Sequence, residues 1–364
     1  MTRTNKKHSF FFMLTILFFI LLVFASLTGL LYCLHPKFGK TARGERLERI
    51  RHSRNFVNEH FKNEEPTVLM TSDKGRFATL YQFIFGKKSD NLTPKEGEIP
   101  VVHSDLKRLT DDDQYVWFGH SSFLLRLDGK NILVDPVFYQ GSPVSFFNKP
   151  FPGTNVYKPK DMPETIDYLV ISHDHWDHLD YQTVKELQQR IKHVVCPLGI
   201  GEDFEYWGFE KEKITEMDWN EHSTINGMTF HCLPTRHFSG RGFWNSKTLP
   251  ASWLIASSKR KVFYTGDGGY SNRFKRFGEA FPDIDLAIME NGQYNTAWAN
   301  IHTLPQYLGK EVKELGARRF VTVHHSKFRL AHHPWHEPRE NEQKAAKEYD
   351  LQLIVCKIGE IIKL

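Results

Sequence analysis

His173-Asp174-His175-Trp176-Asp177-His178 gathers three imidazoles and two carboxylates into six residues, directly after an apolar, β-branched run at 166–171. That run reads as a buried strand. The cluster therefore sits where a strand ends and the backbone turns outward, the place where an α/β sheet presents its sites. Alternation along an extended chain sends His173, His175 and Asp177 to one side, and a tight turn lets His178 swing to another. Imidazole nitrogen and carboxylate oxygen are donors of catalytic zinc. Four of them are too many to converge on one ion from so short a peptide, so two neighbouring ions are expected. A histidine-rich surface turn is the bland alternative, and the strand-then-turn context argues against it.

Working outward, the chain has 364 residues, enough for one large domain or two ordinary ones, with 14% aromatic residues and eight Trp to fill a core. Residues 9–34 carry no charged side chain. As a helix, residues 10–34 would run roughly 37 Å and span a hydrocarbon core of about 30 Å. A cleavable signal peptide shares the basic Arg3, Lys6 and Lys7 and the small Ala25-Ser26. Its apolar region is shorter than this one, however, and Tyr32 before Cys33 does not suit lipoprotein processing, so an uncleaved anchor is expected.

Residues 35–62 net five positive charges, equal to the excess of the whole chain. Beside a membrane segment, the basic residues at 37–62 are expected to meet anionic headgroups rather than nucleic acid. Seven Lys or Arg lie in the 20 residues after the apolar run against three before it, which by the positive-inside count places the domain on the cytoplasmic face. A basic N-terminus is also what keeps that end inside and sends the rest outward. Beyond Cys33, the cysteines Cys196, Cys232 and Cys356 fall on expected strands, show no metal-like spacing and demand no oxidising compartment.

Other stations have the same strand-then-donor form. Trp117-Phe118-Gly119-His120 leads to a hairpin about Asp128-Gly129 that ends in Val134-Asp135-Pro136. A strand at 228–233 follows Asn226-Gly227 and delivers Thr235-Arg236-His237. Strands at 261–265 and 319–323 run into Gly266-Asp267-Gly268-Gly269-Tyr270 and His324-His325. Helical patterns are expected at 183–191, with apolar residues at 184, 187 and 191, and at 303–315, opened by Pro305 and stopped by Gly316. Residues 351–364 read as two short strands about Gly359-Glu360.

The His-x-His-x-Asp-His arrangement with these stations resembles the metallo-β-lactamase fold superfamily over most of residues 98–364. The resemblance implies a four-layer αββα sandwich with its metals at one edge; the transmembrane helix that precedes it is an addition to the family pattern. The divisions are then 1–9, a basic N-terminus; 10–34, the anchor; 35–97, a basic juxtamembrane segment and linker or cap, including Lys87-Lys88; and 98–364, the hydrolase domain. It implies His173, His175 and His237 on one ion, Asp177, His178 and His324 on the other, and Asp267 between them. His325 is the fallback for His324. His120 and Asp135 are expected behind the ligands, where imidazoles need partners for their other nitrogen.

The flanks His237-Phe238-Ser239-Gly240-Arg241 and His302 with Pro305 resemble the N-acylphosphatidylethanolamine-hydrolysing phospholipase D branch. That resemblance implies a phosphodiesterase acting on a membrane phospholipid with two Zn2+, iron or manganese being compatible with the same donors. Arg241 would grip the phosphate, His302 would hold or protonate an oxygen near the metals, and Asp177 would orient the hydroxide supplied by the ions. Arg241 as a solvated loop residue and His302 as a helix cap are the structural readings of those two. A hydrolase of the same fold acting on a lactone, thioester or soluble phosphodiester, and a non-catalytic metal-binding scaffold tethered to a membrane, are the rival functions.

Overall fold

Residues 114–117 and 123–127 form β3 and β4 of a large sheet, but the chain reaches them through a long N-terminal region. The computed structural model describes residues 3–86, 89–144, 148–241 and 246–364. Lys87 and Lys88 and the side chains of Arg3, Lys6 and Lys7 lie outside the described residues. The helix α1 (Arg3–Cys33) includes an exposed stretch, Phe10–Cys33, long and apolar enough to cross a membrane. A 3-10 turn (Pro36–Phe38), α2 (Gly44–His52), the ribbon β1 (Phe56–Val57) and β2 (His60–Phe61), and α3 (Gly75–Phe85) follow.

This region is docked rather than loose. Arg46 on α2 forms ion pairs with Glu202, Glu205 and Glu216, and its side chain is 11% exposed. Arg49 pairs with Glu221 at 2.7 Å. Part of the basic run thus faces the domain, where opposite charges offset the cost of removing Arg46 from water.

The first sheet has the order β15-β3-β4-β5-β6-β7-β8. Its strands are β3 (Gln114–Trp117), β4 (Phe123–Leu127), β5 (Lys130–Val134), β6 (Ile166–Val170), β7 (Ile191–Pro197), β8 (Ile214–Met217) and, from far along the chain, β15 (Ile361–Lys363). The second, in the order β14-β13-β12-β11-β10-β9, comprises β9 (His222–Ile225), β10 (Met228–Leu233), β11 (Ser252–Ala256), β12 (Lys261–Tyr264), β13 (Leu286–Glu290) and β14 (Phe320–Val323). Alternation decides the layers. Phe123, Leu125, Leu127, Ile132 and Val134 face Phe230, Trp253, Ile255 and Tyr264 between the sheets. Leu124, Leu133 and Leu169 point the other way, onto α4 (Tyr181–Leu187) and α5 (Gly201–Tyr206). Leu254, Phe263 and Met289 pack beneath α6 (Arg273–Ala280) and α7 (Pro305–Leu315), with Ala345 of α8 (Glu337–Tyr349). The result is the expected αββα sandwich.

Both hairpin signals are realised with positive φ at their two central residues: 47° and 74° at Asp128 and Gly129, 48° and 87° at Asn226 and Gly227. These are the values that match the twist of the flanking strands. Pro305 opens α7 and left-handed Gly316 closes it.

Two expectations need correction. The helix expected at 183–191 is Tyr181–Leu187, followed by a 3-10 turn at Gln188–Arg190, and Ile191 opens β7 opposite Ile166. The spacing 184, 187, 191 mimicked a helical face, but parallel pairing claims the β-branched Ile191. At the other end, Ile361–Lys363 forms the strand after Gly359, while before it Leu353 and Ile358 make isolated bridges with Phe320 and Val101. The chain there passes from one sheet to the other, so neither holds a full strand.

Candidate metal centre

β5, β6, β10, β12, β13 and β14 all end at the same edge of the sandwich, and each delivers a polar group there. After β6, Ser172 and the loop 173–178 are fixed by Asp135, which stands at the end of β5. Its carboxylate accepts hydrogen bonds from the Ser172 amide (2.8 Å), the Ser172 hydroxyl (2.5 Å) and the Tyr264 hydroxyl (2.6 Å). It also meets His178 Nδ1 at 2.8 Å. A proton held on that nitrogen leaves Nε2 of His178 as the donor toward the site.

His173, His175 and His237 bring ring nitrogens together. His173 Nε2 and His237 Nε2 lie 2.9 and 3.2 Å from His175 Nδ1. His237 arrives at the end of β10, its backbone amide bonded to Asn63 and its Nδ1 to the Ile301 carbonyl at 2.8 Å. His120, Asp177, His178 and His324 form a second, wholly buried group. There His120 Nε2 holds Asp177 Oδ2 at 2.7 Å and Ser121 Oγ lies 3.0 Å from His324 Nδ1.

Asp267 lies between the groups. Its Oδ1 is 3.2 Å from His178 Nε2 and from His324 Nδ1. Its Oδ2 is 3.9 Å from Nε2 of both His173 and His237. One oxygen thus faces each group. The loop can approach this closely because Gly268 and Gly269 lack side chains: a Cβ at Gly269 would collide with the Asn300 carbonyl.

The donors fit divalent ions. His178 Nε2, His324 Nε2 and Asp267 Oδ1 are buried without a hydrogen-bond partner among the described residues, a condition that costs about 1–3 kcal/mol per group unless something else answers it. Burial, reinforced by neighbouring imidazoles, holds His173, His237 and His324 well below the usual histidine range. Burial likewise pulls His175 down to about 4. Neutral imidazoles are the form that binds metal. Burial also lowers His178, but Asp267, Asp177 and Asp135 outweigh it and raise that group. Asp177 is pushed up by burial and, more strongly, down by His178 and His120, so it is a carboxylate.

His325 is turned away, its nitrogens taken by the hydroxyls of Thr322 (2.9 Å) and Ser326 (2.7 Å), so His324 is the histidine at the centre. His302 stands at the rim with its ring 5.4 Å from that of His324 and its Nδ1 bonded to Glu290. The other Glu290 oxygen accepts the amides of Gly268 and Thr303 at 2.9 and 3.2 Å. Burial lowers His302, and Glu290 then raises it above its ordinary value.

Arg241 is buried against the outside of the metal loop. Its Nε donates to the Lys37 carbonyl (2.6 Å), its Nη1 to the Asp174 carbonyl (3.0 Å), and its guanidinium lies 4.3 Å over Trp176. Nη2 alone has no partner among the described residues. Two of its five N–H donors are thus spent on backbone carbonyls, and a solvated loop residue does not describe a side chain so enclosed.

Sequence reasoning missed Glu290 and Ser121. Glu290 ends the wholly buried strand Leu286–Glu290, an acid after an apolar run, which is the same signal that marked Asp135. Nothing in the local pattern distinguishes Ser121.

A family model described as a beta-lactamase superfamily domain matches residues 130–325. An uncharacterized protein of Mycobacterium tuberculosis is 34% identical over 305 residues, covering 81% of this chain and 80% of that protein. An N-acyl-phosphatidylethanolamine-hydrolyzing phospholipase D of Caenorhabditis elegans is 28% identical over 313 residues, covering 78% and 86%. Among solved structures, a metallo hydrolase of Ignicoccus hospitalis superposes with a TM-score of 0.51 at 20% identity, over 69% of this chain and 98% of its own.

Proposed function

The chain belongs to the β-lactamase superfamily as a metal-dependent hydrolase, and from that premise we propose that it is a membrane-anchored binuclear phosphodiesterase of phospholipase D type, acting on N-acylphosphatidylethanolamine-like lipids. The observation that carries the reading is Asp267, with one carboxylate oxygen toward each donor group. His173, His175 and His237 would hold one ion, Asp177, His178 and His324 the other, and Asp267 both. Two zinc ions, or iron or manganese, would supply a nucleophile from water at neutral pH and stabilise charge on the phosphate.

The protein's own groups do the rest. His120 fixes the Asp177 carboxylate, which orients the attacking oxygen. Glu290 fixes the His302 ring and favours its protonated form, so that His302 gives a proton to the departing oxygen. The relative of known name supports a lipid phosphodiester as substrate, and the apolar helix α1 supports a protein that meets lipid as a bilayer. The face of the membrane on which the domain lies is taken from the positive-inside count, the cytoplasmic one.

The test uses the full-length protein purified in detergent. Metal analysis is expected to return close to two ions per chain, and a substrate panel to show cleavage of N-acylphosphatidylethanolamine in preference to lactones, thioesters and neutral esters. Cleavage of the esters with no phosphodiester turnover would overturn the substrate. His302→Gln is expected to lose turnover while keeping both ions. Retention in the membrane fraction after high-salt and alkaline washing checks the anchor, since charge alone gives a salt-sensitive association.

A further inference from the structure

Two apolar elements outside the site are attached to the edge that carries the metal donors. The first is the end of α1. Tyr32 and Lys37 both donate to the Pro143 carbonyl, in the loop after β5, the latter at 2.9 Å. Phe38 meets Trp176 edge to face at 5.2 Å, inside the metal loop, and Trp207 Nε1 donates to the Pro36 carbonyl at 2.8 Å. Arg241 completes the joint by holding the Lys37 and Asp174 carbonyls with one guanidinium. The first turn after the apolar helix is thus tied to the backbone between His173 and His175.

The second element is α3. Ahead of it, the Thr71 amide donates to the Ala297 carbonyl (2.7 Å) and its hydroxyl to the Thr296 carbonyl (2.6 Å). Beyond it, the Ser89 hydroxyl donates to the His332 carbonyl (2.7 Å). Those anchoring loops follow β13 and β14, the strands that deliver Glu290 and His324, and the first of them leads into His302. On α3, Phe77, Tyr81 and Phe85 recur every fourth residue and so share one face, and they are 91%, 65% and 69% exposed. The sequence brackets the helix with Lys74 and Arg76 at one end and Lys87 and Lys88 at the other.

We propose that the metal-bearing edge of the sandwich is a bilayer-docking face, with α3 lying at the headgroup–acyl boundary of the leaflet from which α1 emerges. Continuity with α1 selects lipid as the occupant: a spanning helix fixed beside the metal loop brings the leaflet surface to this edge, and α3 presents an aromatic stripe there, flanked in the sequence by basic residues. An amphipathic helix of this kind buries its apolar face in the interface and sets its cations among anionic headgroups. The inference rests on the membrane-anchored reading above and deepens it, since a lipid would reach the donors without leaving the leaflet.

The test reads position rather than activity. Full-length protein carrying Cys33→Ser and Tyr81→Cys is spin-labelled at residue 81 and reconstituted in vesicles of phosphatidylethanolamine and phosphatidylglycerol. Its collision rates with oxygen and with a water-soluble nickel chelate are compared with those of a label at exposed Glu348, introduced as Glu348→Cys. The oxygen-to-nickel ratio at residue 81 is expected to exceed the control by about fivefold or more, as for a side chain below the headgroups. A ratio equal to the control overturns the docking face, and so does a label shielded from both reagents, which would put a second copy of the chain over α3. Phe77→Ser/Tyr81→Ser/Phe85→Ser is expected to slow hydrolysis of vesicle lipid about tenfold while leaving the same lipid in detergent micelles unaffected. A label in the lipid together with no phosphodiester turnover would support the docking face and remove the substrate assigned above.

Discussion

The two donor groups on either side of Asp267 are held by different means. His173 and His237 are steadied by neutral partners, the Ser172 hydroxyl at 3.0 Å and the Ile301 carbonyl, and His175 is partly exposed. His178 has the Asp135 carboxylate behind it, Asp177 is gripped by His120, and every member of that group is buried. A carboxylate behind a ligating imidazole raises its basicity and fixes its tautomer. The difference teaches that the centre is asymmetric: a closed, charge-backed position that would hold an ion tightly, and a more open one that would leave room for water and substrate.

Removing the shared carboxylate breaks the comparison altogether. Asp267→Ala is expected to lose at least one ion and to lower turnover by at least about a hundredfold, read by metal analysis and steady-state kinetics. Two ions retained with full activity would show that Asp267 joins nothing. Asp135→Asn is the sharper test. It should weaken only the closed position, by about 10- to 100-fold in affinity, so that the slower of two release phases in a chelator titration merges with the faster. Movement of the faster phase instead would invert the assignment.

Acid provides a third test, on metal-free protein. Burial depresses His173, His237 and His324 and takes His175 to about 4, whereas the unfolded chain titrates near pH 6.5. Between those values the unfolded state binds more protons, so the stability these groups leave intact above about pH 6.5 is lost as pH falls toward 4. His178 and His302 act in the opposite sense, since their raised values contribute stability present below about pH 6.5 and lost as pH rises through the folded values. The depressed histidines outnumber the raised ones, and thermal unfolding in chelator is expected at a lower temperature at about pH 5 than at about pH 7.5. The reverse order would mean that the charged His178 and His302 dominate. The smallest effect belongs to Ser121→Ala, which removes one hydroxyl from His324 and should cost about 0.5–1.5 kcal/mol, measured as a few-fold change in affinity at the closed position alone.

How much of this was legible depended on whether the signal was local. The loop 173–178 announces itself because its donors are adjacent in sequence, and the two hairpins because Asp-Gly and Asn-Gly are suited to positive φ. Ile191 misled because helical spacing and a parallel strand place apolar residues alike over short stretches, and only its partner Ile166 decides. Glu290 was invisible as a partner of His302, which is brought to it by the loop between β13 and α7. Arg241 is the clearest case. Its neighbours Lys37 and Asp174 are distant along the chain, so composition offered a choice between substrate grip and solvent while the fold placed it as a brace.

The edge strand β15 pairs Ile361 with Val116 of β3, and the Leu364 amide reaches the Asp113 carbonyl at 2.9 Å. Partners so remote in sequence impose a large loop-closure entropy and belong to the contacts that make folding slow. While the chain is being synthesised, β3 therefore presents an unsatisfied ladder after α1 has already left the ribosome. Such an edge is a template for mispairing with a neighbouring nascent chain. Overexpression is the circumstance in which this would matter, and slower induction, rather than stabilisation of the finished protein, is the remedy that this connectivity recommends.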